Sequence, residues 1–328
     1  MTVDDDIPLL GELDLAIVHA LQIDARAPWA RIAAAVGADA ATVARHWQAL
    51  TERRLVWLTL WPTPQRWATT TDVAIVLLDA DAPARDAMLD LPWVIGVDDT
   101  SAGLLAIVAS SGGLEELGAR ARALGALGAR VRRMDVAASI VQEDSTWRLQ
   151  ALSRAQQRLL AEPRATPPHR VPTSDATAEI AAILGIEPRL PTLTLARRLG
   201  VSEPTARRAV DRATAAGVLR FGCDLALPAA GLHRGSVLWG RARDPEAAAD
   251  RAARAPEAHR AGVVVGPAPL FVCVRTRSLT ALPHIERSWQ DAVDVEVTDR
   301  WTVLRPWKRN GHVLDSAGRS VRRIPVAW

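Results

Sequence analysis

Two Thr-x-x-Arg pairs carry the most readable chemistry in this 328-residue sequence: Thr42 with Arg45, and Thr205 with Arg208. At a spacing of three, both side chains of a pair share one face of a helix. Hydroxyls and guanidiniums on an exposed helix face contact phosphate oxygens and guanine edges in a DNA major groove. Gln48 extends the face of the first pair, and Arg207 and Arg212 extend that of the second. Each bidentate arginine–guanine contact would supply roughly 1–3 kcal/mol of discrimination. The competing account is a solvated helix face with no ligand.

Such a face needs a helix and a scaffold to present it. Leu10, Leu13, Ile17 and Leu21 recur at helical spacing and predict a first amphipathic helix. Pro28 suits the first turn of a second helix with Ile32 and Val36 inward, which Gly37 ends. Asp39 caps a third helix, with Val43, Trp47 and Leu50 inward. Thr42, Arg45 and Gln48 then face outward. Two short helices joined by a Gly-containing turn make a helix-turn-helix.

The same grammar returns 163 residues later. Ile17 falls on Ile180, Leu21 on Leu184, Arg26 on Arg189, Pro28 on Pro191, Ala33 on Ala196 and Gly37 on Gly200. Thr42 falls on Thr205 and Arg45 on Arg208, with Ser202 as the third-helix cap. The chain therefore reads as two copies of one unit. After each third helix the pattern turns period-two. In the first copy Val73–Leu78, Trp93–Asp99, Leu104–Ala109 and Arg130–Gln142 read as strands, with helices at Ala82–Leu91 and Leu114–Leu124. The order is βαββαβ, a split βαβ, and the second copy repeats it.

The expected fold is α+β: two copies of a winged helix-turn-helix followed by a ferredoxin-like βαββαβ domain. The expected boundaries are 8–60 and 173–227 for the helical domains and 66–144 and 232–306 for the ferredoxin-like ones. The Pro-rich stretch within 145–172 reads as a linker, and 307–328 as a basic, partly frayed tail. Trp57, Trp61 and Trp67, around Pro62 and Pro64, read as packing residues of a connecting strand.

Composition narrows the function. Net charge is only +3 with 40 basic and 37 acidic side chains, so any nucleic-acid surface is local. All the basic residues except Lys308 are arginine. The charges of residues 10–60 cancel, whereas 173–222 hold seven arginines against five acids. The second copy is thus expected to bind DNA more strongly. Cys223 and Cys273 are the only cysteines, which excludes a disulfide scaffold and a thiolate-rich zinc site. Neither a signal peptide nor a membrane span is legible, and a cytoplasmic location is expected. The histidines at 19, 46, 169, 233, 259, 284 and 312 are scattered singly, and Gly112, Gly113 and Gly118 lack the lysine of a phosphate loop. No nucleophile elbow or metal spacing is present, so no cofactor, no metal and no enzymatic activity are expected.

A helix-turn-helix followed by βαββαβ resembles the leucine-responsive/asparagine-regulator (Lrp/AsnC) family of transcription factors. The resemblance rests on Leu13–Leu50 and Trp93–Ala109, and again on Leu195–Leu225 and Val264–Val274. It looks like the tandem form common in actinobacteria. The resemblance implies sequence-specific binding of double-stranded DNA through the third helices and assembly through sheet faces. Homo-oligomers are implied, with the two ferredoxin-like domains of one chain able to pair as a pseudo-dimer. It also implies a small effector such as an amino acid near the turn between the second and third strands. That turn holds Asp98, Asp99, Thr100, Ser101 and Gly103 in the first copy and Gly266 in the second. Two alternatives remain. One is an effector sensor without DNA binding. The other is an enzyme like the siroheme decarboxylases, which share this fold; His259 and Arg260 match part of their histidine-rich strand.

Overall fold

Proline and glycine set the helix boundaries in both halves of the chain. The computed structural model describes residues 8–63, 69–143, 146–161, 175–291 and 294–325. The first half runs α1 (Glu12–Ile23), α2 (Trp29–Val36), α3 (Ala40–Glu52), β1 (Val56–Trp61), β2 (Asp72–Asp79), α4 (Ala82–Leu89), β3 (Val94–Thr100), β4 (Gly103–Ser110), α5 (Gly113–Ala126), β5 (Arg130–Gln142) and α6 (Arg154–Leu160). The second runs α7 (Asp175–Ile186), α8 (Thr192–Leu199), α9 (Glu203–Ala215), β6 (Arg220–Leu225), β7 (Arg234–Ala242), α10 (Pro245–Ala253), β8 (Ala258–Val265), β9 (Leu270–Thr276), α11 (Leu282–Gln290), β10 (Val295–Arg309), β11 (His312–Leu314) and β12 (Ser320–Arg323).

Pro28 and Pro191 occupy the N-cap positions of α2 and α8 with ψ of 143° and 140°. The sequence places Pro28 one residue later, in the first turn. Its extended ψ delays helix entry to Trp29. Gly37 and Gly200 close those helices in the left-handed region, at φ of +73° and +66°, where a Cβ would be strained. Asp39 and Ser202 accept from the amides of Thr42 and Thr205 and so cap α3 and α9.

The described residues form two compact units, each drawn from both halves of the chain. One comprises 10–69 and 148–224. Here Ile17, Leu21, Ile32, Val43 and Leu50 are buried among the first three helices. Ile180, Leu184, Leu195, Ala206 and Ala213 form a second core, which Leu60 of β1 joins. β1 and β6 make a two-stranded sheet. Trp57 and Trp61 are buried, as the packing role expected of them requires; Trp67 lies outside the described residues. The supposed linker contributes α6, opened by a capping box between Ser153 and Gln156. Gln156 Nε2 also donates to the Ala35 carbonyl at 2.9 Å.

The other unit comprises 1–9, 70–147 and 225–328. Its strands follow the order β10-β3-β4-β2-β5-β8-β9-β7, and β7 pairs again with β10, so the sheet closes into an antiparallel eight-stranded barrel. The two long strands make the closure. β5 pairs with β2 over its first half and with β8 over its second. β10 pairs with β7 and then with β3. The interior is filled by Ile75, Leu77, Leu105, Val237, Trp239, Val264, Phe271, Cys273, Trp301 and Val303, as a barrel of this strand number allows. Helices α4 and α5 cover one outer face and α10 and α11 the other.

The stretch read as a frayed basic tail is folded. β10 runs on to Arg309, and β11 and β12 extend the sheet from it. Lys308 is fully buried and its Nζ donates to the carbonyls of Leu89 and Leu91 at 2.8 Å each. Burial pushes its amine down to about 7. One of its bonds satisfies the carbonyl of Leu89 at the C-terminal end of α4, which a helix leaves without an internal partner.

Candidate functional site

Capping and apolar spacing together decide which side chains α3 and α9 present. In α3, Val43 and Leu50 point inward and Trp47 is half-buried. Arg45 and Gln48 are exposed and Thr42 is half-exposed. Part of this face is internally paired. Gln48 Nε2 donates to Glu52 Oε1 at 2.8 Å, and His46 Nδ1 lies 2.7 Å from Asp14 Oδ1. Helix α9 differs. Ala206 and Ala213 point inward, while Thr205, Arg207, Arg208 and Arg212 are all exposed. Arg207 is 3.8 Å from Glu203, and Arg212 Nε donates to the Arg208 carbonyl at 3.3 Å. The Thr205 and Ser202 hydroxyls are 2.8 Å apart. Arg197 and Arg198 in the last turn of α8 add exposed positive charge. Arg198 is paired with Glu187 at 2.8 Å, but exposed guanidiniums gathered on one helix can exchange water and such surface partners for phosphate oxygens.

A second constellation lies in the same unit, and sequence reading passed over it. Arg26 and Arg189 each donate twice to backbone carbonyls of the other half. Arg189 Nη1 and Nη2 reach Ala25 and Ala27 at 2.8 and 2.9 Å. Arg26 reaches Pro188 and, at 3.2 Å, Leu190. Arg189 also stacks over Trp29 at 3.9 Å, and Arg26 lies over Phe221 at 5.1 Å. Burial lowers both guanidinium pKa values from their ordinary range. One signal could have found the pair. Of the five arginines in residues 10–60, only Arg26 and Arg45 recur 163 residues later.

The turn residues expected to hold an effector are placed differently from one another. Asp98 points into the barrel and is 2% exposed. Its Oδ2 accepts from Arg260 Nη1 at 3.0 Å and its Oδ1 from Arg275 Nη2 at 3.3 Å. Gly96 and Gly235 leave room for the two guanidiniums: a Cβ at Gly96 would lie 3.4 Å from Arg260 Nη2, and one at Gly235 would run into Arg275 Nη1. Asp98 is therefore a buried counter-ion, because alternation along β3 turns it inward. Asp99, its neighbour, pairs in register with Arg305. Thr100 Oγ1 donates to the Gly103 carbonyl at 2.6 Å, and Ser101 exchanges two hydrogen bonds with the Thr302 backbone. Gly103 takes φ of +129°. Gly266 stands apart from this turn, against Asp135 and Arg133 of β5. His259 is buried and stacked on Trp147 at 3.9 Å, and Arg260 is committed to Asp98.

Residues 10–51 match the AsnC-type helix-turn-helix domain. The chain thus carries a helix-turn-helix of this type at its N-terminal end, within a mixed α/β fold. No curated protein matches the chain. Among solved structures, siroheme decarboxylase NirDL in complex with an iron-uroporphyrin III analogue is similar at 15% identity, over 91% of this chain and 93% of that one, with a TM-score of 0.58. NirDL alone is similar at 14% identity over the same shares, with a TM-score of 0.51. AsnC of E. coli is 23% identical over 38% of this chain and 88% of its own, with a TM-score of 0.34. The expectation that the chain is not an enzyme does not stand. Two solved structures similar to it over 91% of its length are those of an enzyme. Among the described residues, no helix is long and apolar enough to cross a membrane.

Proposed function

We propose that the chain is a tandem regulator of the Lrp/AsnC type, in which two helix-turn-helix segments of one chain bind double-stranded DNA. The observation that carries this reading is the exposed cluster Thr205, Arg207, Arg208 and Arg212 on α9. It stands at the same helical address as Thr42 and Arg45 in the segment matching the AsnC-type domain. On this reading each barrel half is a ferredoxin-like domain, and their pairing inside one chain replaces the pairing of two subunits. The α9 face supplies most of the phosphate contacts, because residues 173–222 hold seven arginines against five acids whereas the charges of 10–60 cancel. An effector would be met at the barrel turns through Asp99, Thr100, Ser101, Gly103 and Gly266, not through Asp98.

The test is fluorescence anisotropy with DNA that the protein itself selects from a random pool, across a salt series. Arg207→Gln with Arg208→Gln is expected to weaken binding roughly 10–100-fold and to lower the salt slope by about two. Arg45→Ala is expected to cost less. Selection that enriches no sequence, at any salt, sinks this reading.

A second reading is favoured by the whole-chain likeness to NirDL: decarboxylation of a carboxylate-rich tetrapyrrole. Siroheme added to the protein under anaerobic conditions would then shift its absorbance and release carbon dioxide. An unchanged spectrum and no released gas exclude it.

A further inference from the structure

The reciprocal arginines tie one head of the molecule to the other. Pro188 and Leu190 stand at the positions of Ala25 and Ala27 in the 163-residue repeat. Arg26 and Arg189 thus grip the same two carbonyls, each in the opposite half. These carbonyls lie in the short connection just ahead of α2 and α8, which begin the helix pairs that end in α3 and α9. A planar guanidinium holds its acceptors in a rigid fork, whereas the donors of an ammonium rotate on a flexible stem. The grip is reinforced nearby: the Thr63 amide donates to the Gly217 carbonyl at 2.8 Å, and Leu60 of the first half sits in the core of the second.

We infer that Arg26 and Arg189 are positioning residues that lock the two recognition helices into one rigid reader and so fix the spacing of the DNA segments it accepts. This rests on the DNA-binding reading above. Two heads joined only by flexible chain tolerate many spacings. Two heads in one body must meet grooves one helical turn, about 10 base pairs, or a multiple of it apart. Inserting 5 base pairs then turns one segment to the far side of the duplex.

The experiment uses the full chain and the duplex it selects, with 0, 5 or 10 base pairs inserted between the two segments protected in footprinting. Wild type is expected to lose about 100-fold on the 5-base-pair insertion, the gain that a second tethered contact ordinarily supplies. Arg26→Gln and Arg189→Gln, singly and together, should bind the parent duplex more weakly. Their penalty for the insertion should fall at least about threefold below that of the wild type, because the remaining ties, the Thr63–Gly217 bond and Leu60, hold the heads less rigidly. An intact penalty in the folded double variant overturns the inference. So does a wild type indifferent to insertion, or one that protects a single segment. If both single variants fail to fold, the role is structural and the inference is also overturned. Failure to select any DNA is a different result and removes the regulator reading itself.

Discussion

Asp98→Ala is expected to destabilise the barrel unit by roughly 3–5 kcal/mol, because it strips the counter-ion from two buried guanidiniums. Arg260 and Arg275 are each 7% exposed and bind different oxygens of the one carboxylate. Neither can turn to water without leaving the barrel interior. The half-buried neighbour Asp99 faces the other way, and Asp99→Ala should cost below about 1 kcal/mol, the range of surface pairs. Urea unfolding followed by tryptophan fluorescence measures both, since Trp239 and Trp301 line the interior. A triple change, Asp98→Leu with Arg260→Met and Arg275→Met, removes all three charges together. It should recover most of the loss, as replacing a whole buried ion cluster often does. A loss under 1 kcal/mol in Asp98→Ala, or a triple variant worse than the single one, would show that the cluster does not hold the barrel.

The same three residues show where sequence reading stops. Helix ends were legible because each rests on local chemistry: Asp39 and Ser202 as caps, Gly37 and Gly200 in the left-handed region. The span Arg130–Gln142 was legible as one strand, yet nothing local says that it changes partner midway, from β2 to β8. Barrel closure is a matter of register between strands far apart in the chain, and period-two patterning gives faces, not partners. The repeat itself hides the charge cluster. Gly96 meets Ile107 across β3 and β4 where Arg260 meets Cys273 across β8 and β9, and Asp98 meets Leu105 where Gly262 meets Phe271. Matching positions thus hold glycine in one half and a charge in the other, so a search for shared residues discards the very ones that interact. The exposed arginines of α9 were legible for the opposite reason: helical spacing alone sends them outward. Whether α3 and α9 are both free to act was not, because the pairings of Gln48 with Glu52 and His46 with Asp14 depend on rotamers and on packing against α1.

Acid should loosen both units through two buried neutral histidines. In the helical unit His19 Nδ1 accepts from the amides of Ala151 and Leu152 at 3.1 and 3.0 Å, which ties the segment leading to α6 onto α1. Burial, helped by Arg148, pushes its pKa from 6.5 to about 4. In the barrel unit His312 Nδ1 lies 2.8 Å from Ser320 Oγ, and burial with Arg323 and Arg309 nearby pushes it to about 3. Both folded values lie below the unfolded one, so the unfolded chain binds the extra protons. The stability they give is complete above about pH 6.5 and drains away as the pH falls toward the folded value. At about 1.4 kcal/mol per pH unit this amounts to roughly 3–4 kcal/mol for His19 by pH 4, and to roughly 5 kcal/mol for His312 once the pH reaches 3. Urea midpoints between pH 7.5 and 4 should therefore fall steeply. Glutamine keeps an acceptor but cannot take the proton, so His19→Gln should flatten the dependence of the helical unit, and His312→Gln that of the barrel. Ring resonances of either histidine titrating near pH 6.5 in the folded protein, or a double variant with the wild-type slope, would remove the histidines as the cause. His19 also matters beyond stability. Once charged, its ring can no longer accept from the two amides, so the 151–160 segment should come away from α1 while the helices of the first recognition segment keep their own core of Ile17, Leu21, Ile32, Val43 and Leu50.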